Sequence, residues 1–298
     1  MEDIQKLEHI YQYNDWVGYE TLHPLVSVVD FSKCSSLEHV RQLYGFYAVF
    51  LKDVKCGDLR YGRQYYDYQE GTLVFLGPGQ VIDVGSKNQT LQPKGWGLLF
   101  HPDLLKGTSL ARAMRNYTFF SYESNEALHL SEQERHVVLD CLNNIEAELH
   151  HGIDKHSKML ITSNIELLLN YCVRFYDRQF ITRENVNKDL LSRFEKLIDD
   201  YFQSDKPRNM GLLTVGYCAD QLHLSANYFG DLIKKETGRT AQEHIQMKLI
   251  DIAKERVLEP GKTISEISYE LGFQYPQHFT RLFKQCVGYT PNEYRTVN

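Results

Sequence analysis

No two of the six cysteines (Cys34, Cys56, Cys141, Cys172, Cys218 and Cys286) stand at the CxxC spacing of a zinc or redox site. That scatter predicts free thiols in a reducing cytoplasm rather than a disulfide framework. The opening residues, MEDIQKLEHI, hold no apolar core of the kind a secretory signal needs. No apolar run approaches the ~20 residues of a membrane span, so no membrane partner is expected. Basic charge is also short: 33 Lys and Arg against 39 Asp and Glu leave a formal charge of −6. A broad positive field over the whole chain is thereby excluded. The deficit is uneven. From Lys206 to Asn298 there are 12 basic and 10 acidic residues, net +2, whereas the rest of the chain carries −8. Any phosphate binding by the C-terminal part must then rest on placed residues and helix N-termini.

What is present is a repeat. TVGYCADQLHLSANYFGDLIKKETGRT, from Thr214 to Thr240, recurs as TISEISYELGFQYPQHFTRLFKQCVGYT, from Thr263 to Thr290. Thr214-Val215 matches Thr263-Ile264, Leu222 matches Leu271, and Phe229 matches Phe279. The offset grows by one in the turn. Each copy reads as helix, tight turn, helix. Thr263 with Glu266 forms a capping box, Ile264, Ile267 and Leu271 share a face, and Gly272 ends the first helix. The second helix turns Phe279, Leu282 and Phe283 inward, and Phe229, Leu232 and Ile233 do so in the first copy. This is a helix-turn-helix, whose second helix is shaped for a DNA major groove. A plain helical bundle would not explain the duplication. Between the copies, Ala241 to Leu258 is apolar at Ile245, Leu249, Ile252 and Ala253, and Pro260-Gly261 closes it. As a helix it is a rod of roughly 27 Å. Successive major grooves on one face of DNA are about 34 Å apart, so such a rod can hold two recognition helices in adjacent grooves.

The duplicated motif, its joining helix and the tail GYTP at Gly288-Tyr289-Thr290-Pro291, followed by NEYR, resemble the DNA-binding domain of the AraC/XylS family of transcription regulators over about ninety residues. In the first recognition helix the expected DNA-facing residues are Ser225, Ala226, Asn227, Gly230, Asp231, Lys234 and Lys235. In the second they are Gln277, His278, Thr280, Arg281 and Lys284. Asn and Gln suit adenine, and Arg281 can grip guanine at two points, while the lysines suit phosphates. An intramolecular ion pair or a phosphate contact is the competing role for Arg281. Family members often carry a long basic or polar residue where this chain has Asp231. An aspartate can accept from cytosine but repels phosphate.

Upstream, Pro24 to His101 has a β pattern. The runs LVSVVDF, LYGFYAVFL, LRYGRQYYDYQ, TLVFLG, QVIDVG and WGLLFH are separated by turn residues such as Pro78-Gly79 and Lys94-Gly95. Such spacing predicts a barrel or sandwich. Gly71 to Val81, GTLVFLGPGQV, resembles the strand-turn-strand of a cupin barrel, which in this family commonly binds a small effector. Tyr61, Tyr65, Tyr66, Tyr68 and Trp96 can stack on a sugar-like ligand, with Arg60, Arg63 or Gln64 as polar anchors, or can simply fill the barrel. Enzymatic cupins hold a metal with His and Glu. Here Gln80 is followed by no His before His101, so no metal, cofactor or catalytic residue is expected. Residues 1–20, with Tyr11, Tyr13, Trp16 and Tyr19, are expected to form an arm against the next domain.

Ser131 with Glu134 caps a helix whose stripe is Val138, Cys141, Leu142, Ile145 and Leu149. After HHGIDKH, whose His150, His151 and His156 read as a solvated turn, MLITSNIELLLNYCVRFY makes a second helix. Two such helices suit a dimer interface, as is usual in this family, or a cover for their own barrel.

The expected chain is an α+β two-domain protein. Residues 1–182 form a cupin-like β-barrel with a helical dimerisation hairpin, 183–208 a linker region with a further helix over Asp189–Phe202, and 209–298 an all-α double helix-turn-helix domain. The function implied is a cytoplasmic, effector-responsive regulator, a homodimer that binds double-stranded DNA and, as the resemblance implies, activates by contacting RNA polymerase. The alternatives are a metal-dependent cupin enzyme with a DNA-binding tail and a regulator with no small-molecule effector.

Overall fold

The computed structural model describes residues 4–37, 39–52, 71–84, 92–122, 126–182 and 184–297. They fall into two compact units, Met1–Thr182 and Arg183–Asn298.

The first unit is a mixed α+β structure. Strands β1 (Ile4–Leu7), β3 (Val40–Tyr44) and β6 (Val81–Val84) form a three-stranded sheet in the order β1-β3-β6. Strands β2 (Val26–Asp30), β4 (Tyr47–Lys52), β5 (Thr72–Leu76), β7 (Gly95–Phe100) and β8 (Leu128–His129) form a second sheet in the order β2-β7-β4-β5-β8. Every pairing is antiparallel except that of β1 with β3. The sheets share one core, in which Leu7, Tyr44 and Ile82 meet Val29, Ala48, Val74, Leu76 and Leu99. No closed barrel is formed among the described residues.

The run LYGFYAVFL, which reads as one strand, is two. Tyr44 ends β3 in one sheet and Tyr47 opens β4 in the other. The N–H of Gly45 donates to the carbonyl of Leu7 at 2.8 Å, and a Cβ on Gly45 would lie 3.0 Å from the Cα of Glu8. Glycine therefore lets the chain turn a corner where another backbone passes closely. The expected strand-turn-strand at Gly71–Val81 is present, but β5 and β6 belong to different sheets. Gln80 fastens the turn: its side-chain oxygen accepts from the Gly77 N–H and its amide donates to the Phe120 carbonyl.

The N-terminal segment is part of the core, not an arm laid over it. Beyond β1, helix α1 (Ile10–Val17) buries Ile10, Tyr13, Asn14 and Val17, an i, i+3, i+4, i+7 face. Past β7, His101 caps the short helix α2 (Pro102–Leu105), its ring Nδ1 accepting from the Asp103 N–H, and α3 (Ser109–Ala113) follows. Helix α4 (Glu132–His150) begins at the expected Ser131–Glu134 capping box and buries the expected stripe. It packs on α5 (Ser157–Thr182), and Arg178 of α5 grips both carboxylate oxygens of Glu134 at 3.0 and 2.7 Å. Burial tends to raise the Glu134 pKa, but its hydrogen bonds to Ser131 and Arg178 hold it below the usual carboxylate range.

Among the described residues the second unit has helices and no strand. The stretch 183–208, expected as a linker region with a helix over Asp189–Phe202 inside it, carries α6 (Glu184–Gln203), which begins five residues earlier, and the start of α7 (Lys206–Met210). Near the beginning of α6, Asn187 is buried and donates to Glu236 at 2.7 Å. A single buried amide leaves no periodic trace in sequence. The remaining helices are α8 (Val215–Leu222), α9 (Ala226–Thr237), α10 (Ala241–Leu258), α11 (Ile264–Glu270), α12 (Pro276–Val287) and α13 (Pro291–Val297). Helix α10 has the bounds read from the sequence. Its buried residues include Ile245, Leu249 and Ala253, while Ile252 is half-buried and Ile250 and Val257 take inward places.

Candidate nucleic-acid interface

Two helix-turn-helix motifs, α8–α9 and α11–α12, share one scaffold, α10, which touches α9, α11 and α12 as well as α6 and α13. In each, the first helix starts at a threonine cap. The Thr214 hydroxyl accepts from the Tyr217 N–H, and Thr263 and Glu266 complete a reciprocal capping box. The turns reverse by different means. His223 takes the left-handed conformation (φ 58°) in the first copy, and Gly272 takes it (φ 92°) in the second. The second helix of each motif ends at a left-handed glycine, Gly238 or Gly288, whose N–H closes on the carbonyl of Lys234 or Lys284.

The inward faces fix how these helices present themselves. Phe229, Leu232 and Ile233 of α9 and Phe279 and Phe283 of α12 are buried, and Leu282 is half-buried. Phe229 meets Phe194 of α6 edge-on at 4.9 Å. Phe279 meets Phe273 and Phe283 at a tilt, and Phe283 meets Tyr294 edge-on. Burial of this stripe leaves the opposite face to solvent.

On α9, Ala226, Asn227, Lys234 and Lys235 are exposed, and Gly230 and Asp231 are half-buried. Ser225, half-buried, is the N-cap: its hydroxyl accepts from the Tyr228 N–H at 3.2 Å. A Cβ on Gly230 would meet nothing within 4 Å, so packing does not require a glycine there. On α12, Gln277, His278, Arg281 and Lys284 are exposed and Thr280 is half-buried. Neither Lys234 nor Arg281 makes an ion pair among the described residues, so the competing intramolecular role for Arg281 finds no partner there. The structure thus groups the expected residues on the faces opposite the two buried stripes. It also exposes one residue that the sequence reading passed over, Tyr275. This is the N-cap residue of α12, and its ring meets that of His278 at 5.5 Å. An aromatic directly before the helix-opening Pro276 was the available signal.

Behind this interface, Glu270 at the end of α11 joins Arg208 (2.7 Å), Lys262 (2.9 Å) and Arg256 (3.8 Å). Burial pushes its carboxyl upward, but Lys262 and then Arg208 outweigh that and hold it below the usual carboxylate range. Arg256 also donates to the Phe202 carbonyl of α6, and Lys248 of α10 pairs with Asp199 at 2.6 Å. These bonds fix α6 and α7 to the scaffold that carries both motifs.

Of the effector candidates, Arg60, Tyr61, Arg63 and Tyr65 lie outside the described residues. Trp96 is half-buried on β7, where its Cα is paired with those of Asp30 and Leu51. Among the described residues no group of three or more His, Cys, Asp or Glu side chains is placed to hold a metal ion. Among the described residues no helix is long and apolar enough to cross a membrane.

Residues 218–296 match the family described as helix-turn-helix domain. The chain is 34% identical over 85 residues to the uncharacterized HTH-type transcriptional regulator YobQ of Bacillus subtilis, covering 28% of this chain and 35% of that one. It is 32% identical over 143 residues to the transposon Tn10 TetD protein of Escherichia coli, covering 48% of this chain and 91% of TetD. TetD apart, the chain spans about half or less of the curated relatives it matches. Among solved structures, the C-terminal domain of AraT, a response regulator from Geobacillus stearothermophilus, is 26% identical, covering 37% of this chain and 85% of that one with a TM-score of 0.33.

Proposed function

Because this chain belongs to the AraC/XylS family of helix-turn-helix transcription regulators, we propose that it binds double-stranded DNA with α9 and α12 in adjacent major grooves and thereby regulates transcription. The observation that carries this reading is the duplicated motif on one rod, α10. Its 18 residues span roughly 27 Å, against a groove repeat of about 34 Å. Asn227, Gln277 and Arg281 are the base readers in this proposal, and Lys234, Lys235 and Lys284 are the phosphate contacts. Of the remaining polar positions, Ser225, Asp231 and Thr280 sit at the groove edges, His278 faces the groove between Gln277 and Arg281, and Ala226 and Gly230 allow close approach.

The first unit, in the same proposal, is a cupin-like sensor that takes a small molecule, for instance a sugar. The α4–α5 hairpin makes the protein a homodimer, and RNA polymerase is the partner for activation. The protein works in the cytoplasm as a binding protein, not an enzyme. Effector binding shifts a pre-existing equilibrium in how the DNA-binding units are presented.

One observation favours a second reading. The described interior between the two sheets is occupied by Tyr13, Tyr44 and Phe46 packed with Phe50, which suits a regulator with no small molecule in that space. Selection from a randomised duplex pool tests DNA recognition. Two half-sites one helical turn apart within a single protomer's footprint are expected, and enrichment of no sequence would refute it. Thermal melting against a panel of sugars and small metabolites separates the two sensor readings. A ligand at a hundred times its dissociation constant adds about 2.7 kcal/mol of stability, and a flat panel supports the filled interior.

A further inference from the structure

Aligned copy on copy, Tyr275 takes the place of Ser225, and His278 that of Tyr228. The two helix starts are built differently. In the first copy Ser225 caps α9 with its hydroxyl, and Tyr228 is buried. In the second, Tyr275 makes no capping hydrogen bond, stands 58% exposed, and leaves the start of α12 to the fixed backbone of Pro276. His278 is turned outward, its ring edge-on to that of Tyr275 at 5.5 Å and 66°, while its own N–H is tied to the Tyr275 carbonyl at 3.0 Å.

An aromatic ring in water at a helix start gives up a cap and contributes little burial. What it does contribute here is a wall. An exposed histidine on a helix otherwise samples several rotamers, and a ring packed against the imidazole removes some of them. His278 lies between Gln277 and Arg281 on the exposed face of α12, so its fixed orientation is an orientation toward DNA.

We propose that Tyr275 is a positioning residue for sequence readout: it holds the His278 imidazole in place so that this ring reads one base pair beside those met by Gln277 and Arg281. The proposal rests on the DNA-binding reading above and deepens it by adding a specificity-determining pair.

The experiment is binding-site selection from a randomised duplex pool with the full chain and with Tyr275→Phe, Tyr275→Ala, His278→Ala and the double alanine variant. Thermal melts confirm that each is folded. His278→Ala and Tyr275→Ala are expected to relax the same base pair, each losing a preference of about 5- to 150-fold, with the double variant no worse than either. Tyr275→Phe is expected to keep the wild-type preference, since the ring and not the hydroxyl supplies the wall. If Tyr275→Ala keeps the preference that His278→Ala loses, or if His278→Ala relaxes no position, the pairing is overturned while the regulator reading stands. If the wild-type chain enriches no sequence, both fall together.

Discussion

A Cβ placed on Gly272 would lie 2.5 Å from the carbonyl oxygen of Gly211 and 2.6 Å from its carbonyl carbon. The turn of the second helix-turn-helix thus rests directly on the backbone that joins α7 to α8, and Tyr201 of α6 holds that same Gly211 carbonyl with its hydroxyl at 2.9 Å. Gly272 also has a φ of 92°. Gly272→Ala therefore meets both a backbone collision and a left-handed strain, and is expected to cost at least about 2–3 kcal/mol. The matching position of the first copy, His223, is exposed at φ 58°. His223→Gly should be neutral or stabilise by up to ~1 kcal/mol. Urea unfolding of both variants checks the contrast; equal effects at the two turns would refute the contact's importance.

The Glu270 cluster gives a prediction about acid. Its carboxyl is held low in the folded state, so the group contributes stability that is fully present above its unfolded value, near 4.5, and is lost as the pH falls through the lowered folded value. Glu270→Gln should cost about 2 kcal/mol at neutral pH, because Arg208 and Arg256 lose their carboxylate partner and Lys262 keeps only Glu259. The wild-type advantage should shrink toward acid. Denaturant midpoints of the two proteins between pH 7 and pH 3 measure this, and a constant difference would rule the linkage out.

Gly230 sits inside α9 with open space where a side chain would be. Gly230→Ala is expected to stabilise the helical unit by about 0.5–1 kcal/mol while lowering DNA affinity, if α9 lies against DNA. Melting and binding measured on one preparation decide it. A gain in both would show that no DNA backbone or base comes near this position.

Arg281 and Lys234 should separate readout from attraction. Arg281→Ala is expected to relax one base pair by about 1–3 kcal/mol of discrimination. Lys234→Ala should weaken all sequences alike and flatten the salt dependence by about one unit of slope. Selection and salt titration on the two variants test the division of labour. An unchanged site preference in Arg281→Ala would remove it from the base readers.

Tyr13, only 3% exposed, touches Trp16, Tyr44, Phe46 and Phe50. Tyr13→Ala should destabilise the first unit by about 3–5 kcal/mol, and deletion of residues 1–17 should unfold that unit while the second keeps its helices. Circular dichroism and limited proteolysis follow each. A folded first unit after the deletion would reduce α1 to a surface arm.

The duplicated motif was legible in the sequence because its signals are local. The capping box at Thr263, left-handed glycines at Gly238, Gly272 and Gly288, and the inward spacing of Phe229, Leu232 and Ile233 are each set within a turn or two of helix. The same holds for α4, whose cap and five buried residues all match their pattern. Less was legible where partners are distant in sequence. Strands β3 and β4 look continuous, and only the passage of Leu7 and Glu8 beside Gly45 divides them between two sheets.

The sequence by itself determined the two helix-turn-helix units, the rod between them and the faces they bury, since helical periodicity and capping are short-range physics. The tertiary structure alone decided that α1 lies within the core, that α6 belongs to the DNA-binding unit through Asn187 and Phe194, and that Tyr275 stands against His278. Those outcomes depend on which surfaces meet, and a buried amide, a parallel strand pair or an exposed aromatic edge leaves no period along the chain to announce it.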